Sequence, residues 1–242
     1  MNNLETESQE NNGFFKIIVI LVIFGLLFSI YIFRKKNKGV EDEKTKVEIS
    51  DQENLENSTT SIDKLMKDRA QELREKLQKE LPELQKKALE NPEDANLQQN
   101  LAIAQYATGD KKKAEESYKK SISLNEKNHV AHNNLGNVYR DLGKYQDAER
   151  EYLEAKKQNS KYAVAYLNLG GLYEYYLKDN QKAIDIYLEG IKENPAYFDF
   201  YNILANLYNK IGDKEKAKEY YEMSLEINND NPAAKRGLEQ LK

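Results

Sequence analysis

The sequence predicts an all-α protein, an α-solenoid of stacked helix–turn–helix hairpins behind a single transmembrane helix. Three observations predict it. A small residue recurs at Ala102, Gly136, Gly170 and Ala205, at intervals of 34, 34 and 35 residues, each preceded by a leucine. A 20-residue apolar run, FFKIIVILVIFGLLFSIYIF, fills 14–33. The remainder is rich in charge (32%) and holds only 4 prolines and 11 glycines in 242 residues, which suits long solvated helices with few breaks.

The N-terminal tail, residues 1–13, is polar and acidic. Residues 14–33 then span roughly 30 Å as a helix, the thickness of a bilayer's hydrocarbon core. Lys16 sits near enough to the end to snorkel to the headgroups. The acidic n-region and the bulky exit Tyr31-Ile32-Phe33-Arg34 argue against a cleaved signal peptide. Arg34, Lys35, Lys36 and Lys38 crowd the C-terminal flank, so the positive-inside rule places the tail outside and the main domain in the cytoplasm. A bacterial plasma membrane is the expected setting, with lipid contacts made through 14–33.

Residues 34–61 are polar and lack apolar periodicity, so a flexible charged linker is expected there. Residues 62–94 form a leading helical segment. Its apolar residues Ile62, Leu65, Met66, Ala70, Leu73, Leu77, Leu81, Leu84 and Ala88 step by three and four like a heptad seam. Pro82 predicts a kink or restart near Leu81. Two roles fit this segment. It caps the first hairpin, the commoner need of such arrays, or it pairs with a second copy over 62–81.

The repeats occupy 95–231 as four units, 95–128, 129–162, 163–197 and 198–231. Three residues after each small residue stand Gln105, Tyr139, Tyr173 and Tyr208. Gly109, Gly143 and Gly212 mark the turns. The second helices carry Ala114, Ala148, Ala183 and Ala217, then Tyr118, Tyr152, Tyr187 and Tyr221. This pattern resembles the tetratricopeptide repeat. The third unit departs from it, with one extra residue between Tyr173 and Ala183 and Leu177 near the expected turn glycine, which predicts a distorted turn. Residues 232–242 form a C-terminal capping helix opened by Pro232, with Leu238 and Leu241 as its apolar cover.

No catalytic constellation stands out. With no cysteine, cysteine nucleophiles and Cys-ligated zinc are excluded. His129 and His132 are the only histidines and lack further ligands of the usual type, so no metal and no cofactor is expected. The net charge of −4 gives no reason to expect nucleic acid. The resemblance implies a right-handed solenoid and a concave groove, lined by the first helix of each hairpin, that binds a protein or peptide partner. Carried onto this chain, the groove phase gives Asn133, Asn137, Arg140, Asn168, Tyr175, Asn202, Asn206 and Asn209. Side-chain amides there can hydrogen-bond a peptide backbone without reading its sequence. The expected role is a non-catalytic, membrane-anchored scaffold for protein–protein interaction. Two alternatives remain: a self-associating assembly factor using 62–81, and the same module facing the extracytoplasmic side.

Overall fold

The computed structural model describes residues 49–242, with side chains from Lys64 onward. The tail 1–13, the anchor call at 14–33 and linker residues 34–48 lie outside the described residues. Among the described residues there are ten α-helices and no strand, and no helix is long and apolar enough to cross a membrane.

The first helix, α1, runs Ile49–Glu90. It passes through Pro82 without a restart, and it begins inside the segment expected as linker. A proline removes one backbone hydrogen bond, at about 3 kcal/mol, but the flanking Leu, Glu, Gln and Lys are strong helix formers. Residues 78–242 make up one compact unit. In its opening turns Leu84 and Ala88 are buried, and Gln98 Nε2 donates to the Ala88 carbonyl at 3.3 Å.

Four hairpins follow. Their A helices are α2 (Ala95–Thr108), α4 (His129–Asp141), α6 (Ala163–Gly171) and α8 (Phe198–Ile211). Their B helices are α3 (Lys111–Leu124), α5 (Tyr145–Gln158), α7 (Asn180–Glu193) and α9 (Lys214–Ile227). Each A helix packs on its own B helix, and each B helix packs on the next A helix. Asp94, Asp110, Asn128, Asp179 and Asp213 cap helix starts by accepting backbone N–H bonds.

Close approach explains the small residues. A Cβ built on Gly136 would lie 2.5 Å from Tyr152 Cε1, and one on Gly170 only 2.2 Å from Tyr187 Cε1. The B-helix tyrosine therefore lies flat against the A-helix backbone. Tyr118, Tyr152, Tyr187 and Tyr221 are all essentially buried, as are the alanines that face them. No hairpin could bury these rings alone, so neighbours complete the core.

The third hairpin absorbs its extra residue in the helix. Leu172–Leu177 is π-helical. In the other hairpins the residue after the turn glycine bonds back five residues: Asp110 to Gln105, Lys144 to Tyr139 and Asp213 to Tyr208, at 2.8–2.9 Å. Here Asp179 bonds back six, to Tyr173, at 2.9 Å. One wider turn thus keeps both flanking helices in register. Lys178 takes the left-handed conformation (φ 60°) that Gly109, Gly143 and Gly212 adopt elsewhere.

The last helix, α10, runs Pro232–Gln240. Asn231 caps it and donates to Ser224 Oγ at 2.8 Å. Its buried residues are Ala234 and Gly237, while Leu238 and Leu241 are half-buried. Gly237 lets α10 sit on the Tyr221 ring, since a Cβ there would come within 2.2 Å of it.

Candidate functional site

The A helices of the second and fourth hairpins carry asparagines in the same register, with Leu167 and Gly171 at those places in the third. On α4, Asn133 is buried, and its Oδ1 accepts from Asn168 Nδ2 of α6 at 2.8 Å. This bond joins the second and third hairpins. Asn137 lies one turn on, and its Oδ1 accepts from the Tyr152 hydroxyl at 2.8 Å and from Arg140 Nη1 at 3.4 Å. Arg140 Nε and Nη2 both reach Asp141 Oδ1, at 3.0 and 2.9 Å. The second oxygen of Asp141 accepts from the Tyr106 hydroxyl of α2 at 2.6 Å. Lys111 adds a bond to the Asp141 carbonyl at 3.2 Å. The Arg140 side chain is only 11% exposed, so its charge is held by a satisfied network and not displayed.

A second cluster joins hairpins three and four. Glu174, in the π-helical turn, has a side chain 3% exposed and accepts from Lys210 Nζ of α8 at 2.8 Å. The Tyr175 and Tyr187 hydroxyls lie beside it. Burial, followed by the adjacent Glu174 charge, pushes the pKa of both phenols up, so they stay protonated as donors. Lys210 Nζ sits 5.1 Å from the Tyr175 ring centre, a cation–π distance.

On α8, Asn202 is buried and its Oδ1 has no hydrogen-bond partner. One period beyond Asn168 the register passes through Ile203 and then Gly237, which has no side chain to donate. Asn206 is exposed, and its Oδ1 accepts from the Tyr221 hydroxyl at 2.5 Å. Asn209 is half-buried near the end of the same helix. The structure thus pairs Asn133 with Asn168 and, separately, joins Asn137 to Arg140. Tyr175 belongs to the Glu174–Lys210 cluster, and Asn206 pairs with its own B helix. Sequence reasoning passed over the tyrosine hydroxyls as ligands of this stripe, and over Tyr106 altogether. A signal existed: Tyr152 and Tyr221 each stand 15 residues after the asparagine they hold.

The histidines lie at the start of α4. His132 Nδ1 is 2.7 Å from Glu151 Oε2, and Nε2 is 3.1 Å from the Glu126 carbonyl. His129 makes an edge contact with Tyr162 and meets Asn159 Nδ2 at 3.2 Å. Among the described residues no group of three or more His, Cys, Asp or Glu side chains could hold a metal ion.

Models of the tetratricopeptide repeat match residues 95–128, 117–150, 163–197 and 198–231. Among solved structures the chain is similar to MamA, at 24% identity over 68% of this chain and 94% of that one, with a TM-score of 0.58. It is also similar to PilF of Pseudomonas aeruginosa, at 22% identity over 70% and 77% of the two chains, with a TM-score of 0.58. A tetratricopeptide repeat protein from Parabacteroides merdae matches at 25% identity over 61% and 59%, with a TM-score of 0.54. At such identities the likeness is one of fold. No match was found among curated protein sequences.

Proposed function

Because the chain belongs to the tetratricopeptide-repeat family, we propose that it is a non-catalytic interaction scaffold whose A-helix groove takes up a segment of a protein partner. The observation that carries this reading is the amide-rich stripe from Asn133 to Asn209. Two charged pairs on it are matched internally, Arg140–Asp141 and Glu174–Lys210. Such a surface holds a chain by shape and hydrogen bonds, and it offers no nucleophile poised beside a base. Residues 14–33 would tether the scaffold to a membrane, raising the local concentration of groove and partner there. The basic flank supports a cytoplasmic repeat domain.

Affinity capture of the membrane-bound protein tests the groove. A partner retained by the wild type should be lost from an Asn137→Ala/Asn206→Ala variant, and unchanged capture discredits the assignment. Protease added to intact cells tests the topology, since shaving of the repeats from outside sinks the cytoplasmic reading. Self-association through α1 is the second reading. It is favoured by Leu65, which leaves half its surface in solvent on a helix unbroken at Pro82. Light scattering of the full chain in detergent decides it, because a strict monomer at high concentration removes that role.

A further inference from the structure

The start of α8 holds two acceptors that the fold leaves without a cation. Asp199 stands in the first turn and is half-buried. The Tyr197 hydroxyl lies beside its carboxylate, and no Lys, Arg or His of the described residues makes an ion pair with it. Burial pushes its carboxyl pKa up, as it does for a charge without a counter-charge. Asn202 follows one turn on, on the same face of α8. It is 6% exposed, and its Oδ1 is buried without a donor. The equivalent oxygen of Asn133 is answered by Asn168 at 2.8 Å. One hairpin earlier the same register carries Val164 and Leu167, and on α10 it carries Ala233 and Arg236. Arg236 is engaged with the Pro232 carbonyl of its own helix, at 3.2 Å. By contrast, Asp141 is met by Arg140 and Lys111, and Glu174 by Lys210.

We propose that Asp199 and Asn202 form a seat for one basic side chain, Lys or Arg, of the partner segment, which donates to both oxygens. The proposal rests on the groove reading above. A carboxylate and an amide oxygen can only accept, so the group that answers both carries several N–H donors and a positive charge. Asp199 has already lost part of its water on folding, and a partner cation supplies the counter-charge that the fold withholds. Val164, half-buried at the register of Asp199 one hairpin earlier, offers apolar surface for the stem of such a side chain.

The test pans a random 12-residue peptide library on the full chain in non-ionic detergent micelles, then measures Kd for the selected peptides. A Lys or Arg at one fixed position is expected. Replacing it by its uncharged analogue, norleucine or citrulline, should weaken binding about tenfold, the effect of one hydrogen-bonded charge. Asp199→Asn, its fold checked by circular dichroism, should weaken the basic peptides by the same factor and the uncharged analogues not at all. Asp199→Glu should keep the preference for a basic residue. Asn202→Leu, which places the third hairpin's residue at this register, should weaken the basic peptides about fivefold. Affinity should fall from low to high salt in the wild type, and less in Asp199→Asn. Basic peptides that bind Asp199→Asn like the wild type report only a general attraction to an acidic chain, and they overturn the proposal. So do selected peptides with no fixed basic residue. If Asn137→Ala/Asn206→Ala releases those same peptides, the groove reading stands and only the Asp199 seat falls. If they ignore that variant as well, or no peptide is selected, the groove reading fails and the seat falls with it.

Discussion

Two adjacent glycines in the third hairpin should respond in opposite directions to the same substitution. A Cβ at Gly170 would fall 2.2, 2.6 and 2.7 Å from three ring atoms of Tyr187. The ring would have to withdraw by roughly 1 Å in a close-packed core. Tyr187 is 2% exposed and its hydroxyl lies beside Glu174, so withdrawal also disturbs the Glu174–Lys210 cluster. Overpacking of this kind costs about 1–3 kcal/mol, and the better helix propensity of alanine returns up to ~1 kcal/mol. Gly170→Ala should therefore destabilise by about 1–2 kcal/mol. Gly171 has ordinary right-handed backbone (φ −62°) and ordinary space, so Gly171→Ala should stabilise by about 0.4–1 kcal/mol. Urea unfolding followed by circular dichroism measures both, and amide exchange locates the change. Repeat arrays need not unfold in two states, so exchange in α6 and α7 is the decisive readout. Gly170→Ala as stable as Gly171→Ala would refute the reasoning that close helix approach dictates the small residue.

Lys178 sits in the left-handed region at a cost of roughly 1 kcal/mol, so Lys178→Gly should raise stability by about 0.5–1 kcal/mol in the same denaturation assay. Asn231→Ala removes both the cap of α10 and the bond to Ser224, and should cost about 1–2 kcal/mol with faster amide exchange confined first to α10. His132 links stability to pH. Burial alone would lower its pKa, but the Glu151 carboxylate and the Glu126 carbonyl raise it above the ordinary value. Its contribution is then fully present below the unfolded pKa of about 6.5, and it fades as pH rises through the higher folded value. The gap in urea midpoint between wild type and His132→Gln should be larger at pH 6 than at pH 9, and equal gaps would remove the linkage.

The hairpin array is readable because its packing rule is local. Where a tyrosine ring must lie on a helix backbone, only Gly136, Gly170, Ala102 or Ala205 fits, and that need recurs once per unit. The third turn was harder. An extra residue can bulge a loop or widen a helix, and residue counting does not choose between them. The structure shows the wider helix, with Lys178 as the turn residue in place of Leu177. At Pro82 the helix does not restart, because strong helix formers flank the proline on both sides. At the candidate site, helical phase puts Asn133 and Asn137 on one face of α4, and Asn202 and Asn206 on one face of α8. It could not show that Asn133 would be buried against Asn168, or that tyrosine hydroxyls from the B helices would orient Asn137 and Asn206. Those facts depend on side-chain hydrogen bonds between hairpins, which have no periodic signature of their own.

The central claim is that the A-helix stripe, and not the outer B-helix surface, meets the partner. A photo-crosslinking amino acid placed singly at Gly171, Asn206, Leu153 or Leu188 of the full chain in cells addresses it directly. Leu153 and Leu188 are the exposed apolar residues of α5 and α7, and they provide the comparison. Discrete protein adducts from Gly171 and Asn206, with none from Leu153 and Leu188, are expected. Adducts from the two leucines with none from the stripe would contradict the account.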